Sequence, residues 1–205
     1  MANPRPTVEI TPATILLIGL AGMLLTLIEI EVMEYSWTKL GIPHRWFFGL
    51  LMGCLFGSMI HLPLRRLGKT PEDQTLLAIN LGGAIIPTGL AIFLLVQRPE
   101  AALPCLAATV LVTMLSFKIA QPVAGLGITM PIFVAPLAAA AAGLILAPTA
   151  PAVVAYVAGT LGTFIGADLL NLGRMRRIGA PVVSIGGAGT FDGIFLSGLL
   201  AVLLA

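Results

Sequence analysis

Apolar residues run through this chain in long, nearly unbroken stretches rather than in the periodic stripes of a soluble fold. From the N-terminus they predict seven helical spans, at about 13–33, 45–64, 75–96, 101–120, 123–146, 150–172 and 182–205. A run of about 20 apolar residues, coiled as helix, matches a hydrocarbon core about 30 Å thick. A barrel would alternate apolar and polar positions in segments of about ten residues, and no such alternation is present. The connections are short, so residues 1–205 read as a single integral membrane domain. The expected fold is an all-α, polytopic transmembrane bundle.

Composition strengthens this reading. Apolar residues make up 58% of the chain and charged residues 10%, with a mean hydropathy of +1.04, far from the soluble balance. The first apolar run follows Glu9 and lacks a small-x-small cleavage site, so it reads as a span rather than a signal peptide. Lysine and arginine then set the orientation. Seven spans put Arg5, Arg65, Arg66, Lys69, Lys118, Arg174, Arg176 and Arg177 on one side, against Lys39, Arg45 and Arg98 on the other. That bias predicts a cytoplasmic N-terminus, an outer C-terminus and residence in the inner (cytoplasmic) membrane. No aromatic or extended basic surface accompanies the basic loops, so nucleic acid is not an expected partner. Trp37 and Trp46 fit an interfacial aromatic belt. Cys54 and Cys105 read as small buried residues, and with only two histidines no metal constellation and no cofactor is expected.

Two internal echoes suggest duplication. Gly57, Ile60, Leu64, Leu67 and Gly68 match identical residues 105 positions later, within G-T-F-I-G-A-D-L-L-N-L-G (162–173). N-L-G-G-A-I-I-P-T-G-L (80–90) similarly resembles S-I-G-G-A-G-T-F-D-G-I (184–194). The echoes predict a 3+1+3 parallel repeat, with halves 13–96 and 123–205 and a linker helix at 101–120. Only the second copy carries carboxylates: Asp168 stands opposite Pro63, and Asp192 opposite Thr88.

Those carboxylates are the main candidates for chemistry. An aspartate at the bilayer centre costs about 2.5–3.5 kcal/mol on insertion scales, so it usually has a partner or a task. Asp168 and Asp192 enter spans 6 and 7 from the same side, and a pair sharing one proton can move protons, bind a cation or act as general acid and base. Gly186, Gly187 and Gly189 precede Asp192, and Gly82, Gly83 and Pro87 stand at the matching place in span 3. These residues predict paired helix breaks, the arrangement that marks a transporter's binding site. Asn80, Asn171 and Thr190 join the two aspartates as predicted site residues. In span 6, Ala155, Gly159, Gly162, Gly166 and Gly173 form a small-residue stripe for close helix packing, with Asp168 and Asn171 pointing elsewhere. Glu29, Glu31 and His61 read as interfacial. Pro122, Gly125, Gly127, Pro131 and Pro136 make span 5 irregular.

Three blocks carry a family resemblance: I-N-L-G-G-A-I-I-P (79–87), A-Y-V-A-G-T-L-G-T-F-I-G-A-D-L-L-N-L (155–172) and S-I-G-G-A-G-T-F-D-G-I-F-L-S-G (184–198). Over about residues 45–205 the chain resembles a prokaryotic multi-pass membrane family described as domain of unknown function 1614. The resemblance implies a bacterial or archaeal membrane protein and no established activity. The chain also looks loosely like presenilin-like and prepilin-peptidase intramembrane aspartyl proteases, which use two membrane aspartates, the second in a G-x-G-D motif. Thr190-Phe191 separates Gly187-Ala188-Gly189 from Asp192, Ala167 replaces the expected tyrosine before Asp168, and no Pro-Ala-Leu element follows. That resemblance would make Asp168 and Asp192 a catalytic dyad.

Three functions follow as expectations. The first is a small transporter or channel for an ion or small solute, with Asp168, Asp192, Asn80, Asn171 and Thr190 at its site. The second is an intramembrane aspartyl protease acting on a membrane-protein substrate. The third is a structural partner of another membrane protein. In each case the bilayer is the surrounding partner.

Overall fold

A computed structural model describes residues 11–67, 75–123, 127–175 and 180–205. Arg5, Lys69, Arg176 and Arg177, and also Gly68 and Gly125, lie outside the described residues. The described chain is mostly helical, but it contains short strands where only helix was expected.

The first helix, α1 (Pro12–Lys39), starts where Thr11 accepts a bond from the Thr14 N–H and Pro12 occupies the first turn. Its first half is exposed and apolar, while Glu29, Met33, Ser36 and Trp37 are buried. Trp37 is packed inside the bundle, where its ring meets Phe47 edge-on at 5.7 Å. Gly41, at φ +78°, turns the chain into α2 (His44–Gly57). Helix α3 (Ile86–Gln97), α4 (Ala102–Ile119), α5 (Val134–Leu146), α6 (Pro151–Thr163), the single turn α7 (Leu172–Met175) and α8 (Gly193–Leu204) follow.

Among the described residues, three helical stretches are long and apolar enough to cross a membrane: Pro12–Lys39, Pro99–Ile119 and Pro151–Met175. This is compatible with a membrane protein. The other four predicted spans correspond to shorter helices, and each of them also takes in strand residues. Residues 61–64, expected in span 2, belong to β1 (His61–Leu67), and span 3 opens with β2 (Thr75–Asn80). The start of span 5 holds a small hairpin, β3 (Gln121–Val123) and β4 (Gly127–Thr129), and span 7 opens with β5 (Val182–Ile185). Pro63 and Pro181 favour extended chain at their preceding residues.

The sheet runs β1–β2–β5, with β1 antiparallel and β5 parallel to β2. Its middle strand, β2, is apolar on both faces, as a covered strand must be. All five strands lie at one end of the bundle, where α2 and α4 finish and α3, α5 and α8 begin.

Helix α6 is the axis, packed against α3, α4, α5 and α8. Its glycine stripe serves two neighbours. A Cβ on Gly159 would lie 2.6 Å from the Ser197 carbonyl oxygen of α8, and one on Gly162 would lie 2.6 Å from Val112 of α4. Gly166 meets Thr113 and Ser116 of α4, while Gly173 meets nothing. The expected close packing and interior position of this helix are both found. The two stretches of the first echo fold differently, since 61–67 is strand and 164–171 is a π turn followed by a 3₁₀ turn.

Candidate functional site

The two glycine-rich motifs are junctions where a strand becomes a helix, rather than breaks inside a helix. At the first, β2 ends on Asn80, a π-helical turn spans Leu81–Ile85, and α3 follows with Pro87 in its first turn. Asn80 caps that turn: Gly83 N–H donates to its Oδ1 (2.7 Å), and its Nδ2 donates to the Ser58 carbonyl (2.7 Å). Both bonds are short, and the residue is wholly buried. At the second junction, β5 leads into a turn at 186–188 and a 3₁₀ turn, Gly189–Phe191. Asp192 then caps α8, accepting from Ile194 N–H (3.0 Å) and, more weakly, from Ala188 N–H (3.4 Å).

The junctions lie against one another. A Cβ on Gly83 would strike the carbonyl oxygens of Gly186 and Gly189. Gly186 and Gly189 have φ of +70° and +65°, the region that glycine enters without steric cost. Ser58, at the end of α2, ties the group together. Its hydroxyl donates to the Cys54 carbonyl (2.6 Å) and accepts from Thr190 N–H (3.2 Å).

His61 connects this group to β5. Its Nδ1 lies 2.8 Å from Ser184 Oγ, and its Nε2 lies 3.5 Å from Asn80 Nδ2. The two bonds of Asn80 fix its amide with the donor end toward the ring. On that assignment the neutral imidazole carries its proton on Nδ1 and donates to Ser184. His61 is exposed and has a defined place in the sheet.

Asp168 arrives from another element. It ends the π-helical turn Phe164–Asp168 that continues α6, and such turns often accompany functional sites. Asp168 and Asp192 line one cavity of about 460 Å³ and are close enough to act on each other electrostatically. Thr163, Ser184 and Ser197 share the lining. Thr163 is 1% exposed, and its hydroxyl has no hydrogen-bond partner among the described residues. An unpaired buried hydroxyl costs about 1–3 kcal/mol.

Residues of β5, at the edge of the sheet, line the cavity, and residues of β4 share the lining. Leu76 N–H donates to the Pro181 carbonyl, so the alternation of a parallel ladder turns Val183 toward β2 and Val182 and Ser184 away. The Ser184 carbonyl accepts from Gly187 N–H (3.1 Å). The N–H groups of Val182 and Ser184 and the Val182 carbonyl remain as an unpaired edge among the described residues.

Of the predicted site residues, Asp168 and Asp192 come together at the cavity, and Gly187 lines it. Asn80 caps the other junction. Asn171 is buried and donates from Nδ2 to the Gly166 carbonyl (2.9 Å). Thr190 is buried behind the loop, where its side chain meets Glu29. Glu29 was expected at an interface and instead sits inside the bundle at the level of this loop, whereas Glu31 is exposed. Thr163, Ser184 and Ser197 were not anticipated from sequence, where isolated hydroxyls in apolar runs carry no distinguishing signal. Among the described residues no group of three His, Cys, Asp or Glu side chains stands together to hold a metal ion.

The chain belongs to a family described as "protein of unknown function (DUF1614)", whose model matches residues 23–204. The match reaches back into α1, further than the three motif blocks alone. No curated protein and no solved structure matches the chain, so the looser resemblance to presenilin-like proteases gains no support.

Proposed function

We propose that this protein hydrolyses a peptide bond of an extended polypeptide segment, with Asp168 and Asp192 as the catalytic pair. One observation carries the reading: carboxylates from two different elements face one cavity whose wall is an unpaired strand edge. A strand edge offers backbone donors and acceptors that an extended chain satisfies by adding as a further strand. A small ion or solute has no use for such a wall.

The chemistry needs one ionised and one protonated carboxyl, the state adopted by two acids that share a proton. The ionised carboxylate takes a proton from water as the water oxygen bonds to the peptide carbonyl carbon. The protonated carboxyl gives its proton to the carbonyl oxygen. The first carboxyl then returns its proton to the nitrogen while a diol hydroxyl gives one back to the second. The C–N bond breaks to give a carboxylic acid and an amine, with the pair restored. The Ser184 N–H on the edge supplies a donor for a carbonyl group of the substrate.

Proton or cation movement through the same pair is the second reading, favoured by the half-buried position of both aspartates in an open cavity. In either case we place the protein in a bilayer, with the shorter helices completing the crossings and the sheet end on the cytoplasmic side, as the basic residues suggest.

The test uses the full chain reconstituted in liposomes with a single-span model polypeptide whose helix is interrupted near the membrane border. Proteolysis predicts two fragments, found by mass spectrometry, that vanish in both Asp168→Asn and Asp192→Asn. Intact substrate together with aspartate-dependent proton flux into dye-loaded liposomes selects the second reading.

A further inference from the structure

The end of the bundle remote from the sheet carries a cavity of about 650 Å³ between the start of α2 and the body of α3. Leu50, Ile86, Leu90 and Phe93 make its walls apolar. Gly89 borders open space, since a Cβ there would meet nothing within 4 Å. The slot faces outward: Phe93 is 52% and Trp46 59% exposed.

The rim has the opposite character, with Arg45 and Arg98 both lining the opening. Arg45 stands in the first turn of α2, which has no acidic residue and whose cap, Pro43, provides no side-chain bond. A cation at the positive end of a helix dipole has the wrong sign, and an anion is what such an end attracts. The nearby acids do little to correct this. Glu100 is 3.9 Å from Arg98 and Glu34 is 3.8 Å from His44, in exposed pairs of the kind that contribute little.

An apolar slot opening beside two guanidinium groups and an uncapped helix N-terminus matches one ligand chemistry: an acyl chain joined to a phosphate. We infer that this cavity binds an anionic phospholipid, its headgroup at Arg45, Arg98 and the start of α2, and one acyl chain beside Gly89 and Phe93. A zwitterionic lipid fits the slot equally well but brings its own cation to the arginines. Selectivity therefore comes from the rim, and occupancy from the slot. The site is separate from the aspartate cavity and does not depend on the hydrolytic reading.

The experiment places the full chain in nanodiscs of phosphatidylcholine containing a minority of phosphatidylglycerol with the same acyl chains. Native mass spectrometry then counts the lipids retained on release. Two arginines predict enrichment of phosphatidylglycerol on the order of ten- to thirtyfold over its share of the bilayer. The Arg45→Ala/Arg98→Ala double variant removes the preference. Gly89→Leu leaves both arginines in place, fills the slot and lowers the number of lipids retained, which decides the matter if the double variant does not fold. Equal retention of the two lipids by the unaltered protein, or an undiminished preference in the double variant, overturns the proposal. Undiminished retention in Gly89→Leu does the same.

Discussion

The junctions at Asn80 and Asp192 solve one structural problem with different chemistry. Each turns a strand of the same sheet into an apolar helix, and each uses a side-chain oxygen to accept a backbone N–H at the start of the helical turn. Asn80 does this as a neutral amide, fully buried, with donor and acceptor ends both used. Asp192 uses a carboxylate, which an apolar setting penalises, and retains access to the cavity it shares with Asp168. An amide would have sufficed for capping. The first junction is therefore the control for the second: what Asp192 has beyond Asn80 is charge, exposure and a second carboxylate nearby.

The comparison breaks most clearly if the second junction is given the first one's chemistry. Asp192→Asn keeps a capping oxygen, so the unfolding temperature in detergent should move by no more than a few degrees. On the proposed hydrolytic reading, peptide cleavage should fall on the order of 10⁴-fold, as when a member of a cooperating catalytic set is lost. Asp168→Asn should match it, and the double variant should be little worse than either single one. An Asp192→Asn protein that unfolds while its residual activity per folded molecule stays high would make the carboxylate a cap and nothing more.

The next largest effect belongs to the first junction and should appear in stability. Asn80→Ala leaves the Ser58 carbonyl and Gly83 N–H without their partner, at about 1–3 kcal/mol for each buried group. Thermal unfolding should show the loss. Gly83→Ala, which drives a methyl group into the carbonyls of Gly186 and Gly189, should cost about 1–3 kcal/mol by overpacking and loosen both junctions together. Hydrolysis measured well below the unfolding temperature should then decline more in Gly83→Ala than in Asn80→Ala. The reverse order would mean that the Asp192 loop does not depend on its contact with the first junction.

Much of this was legible in the chain, and the parts that were not have a common cause. Helix α6 announced its interior place through the glycine stripe, and 67% of the most apolar part of Pro151–Met175 is buried, against 6% for that of α1. Asp168 and Asp192 stood out because carboxylates are rare in such runs. The strands did not stand out. Leu76-Leu77-Ala78-Ile79 is covered on both faces, and a covered strand reads as a continuous apolar run that periodicity cannot tell from a buried helix. The glycines signalled a break in helix correctly, but not that extended chain lay on one side of it. Glu29 was misjudged because only α1 packing against α8 shows how deep it sits.

The smallest predicted effect tests how far the two junctions are coupled. His61 is exposed, and its one short bond joins the β1 side of the sheet to Ser184 on the cavity wall. His61→Ala removes that tie but leaves the parallel pairing of β2 with β5 intact. A partly exposed hydrogen bond is worth about 0.5–1.5 kcal/mol, so the unfolding temperature should drop slightly and hydrolysis by less than tenfold. His61→Asn offers an amide N–H in place of Nδ1–H and should recover part of the loss. If His61→Ala instead matched the collapse of Asp192→Asn while the protein stayed folded, Ser184 and its histidine would belong with the aspartates. The Asn80 junction would then be part of the active machinery rather than its neutral counterpart.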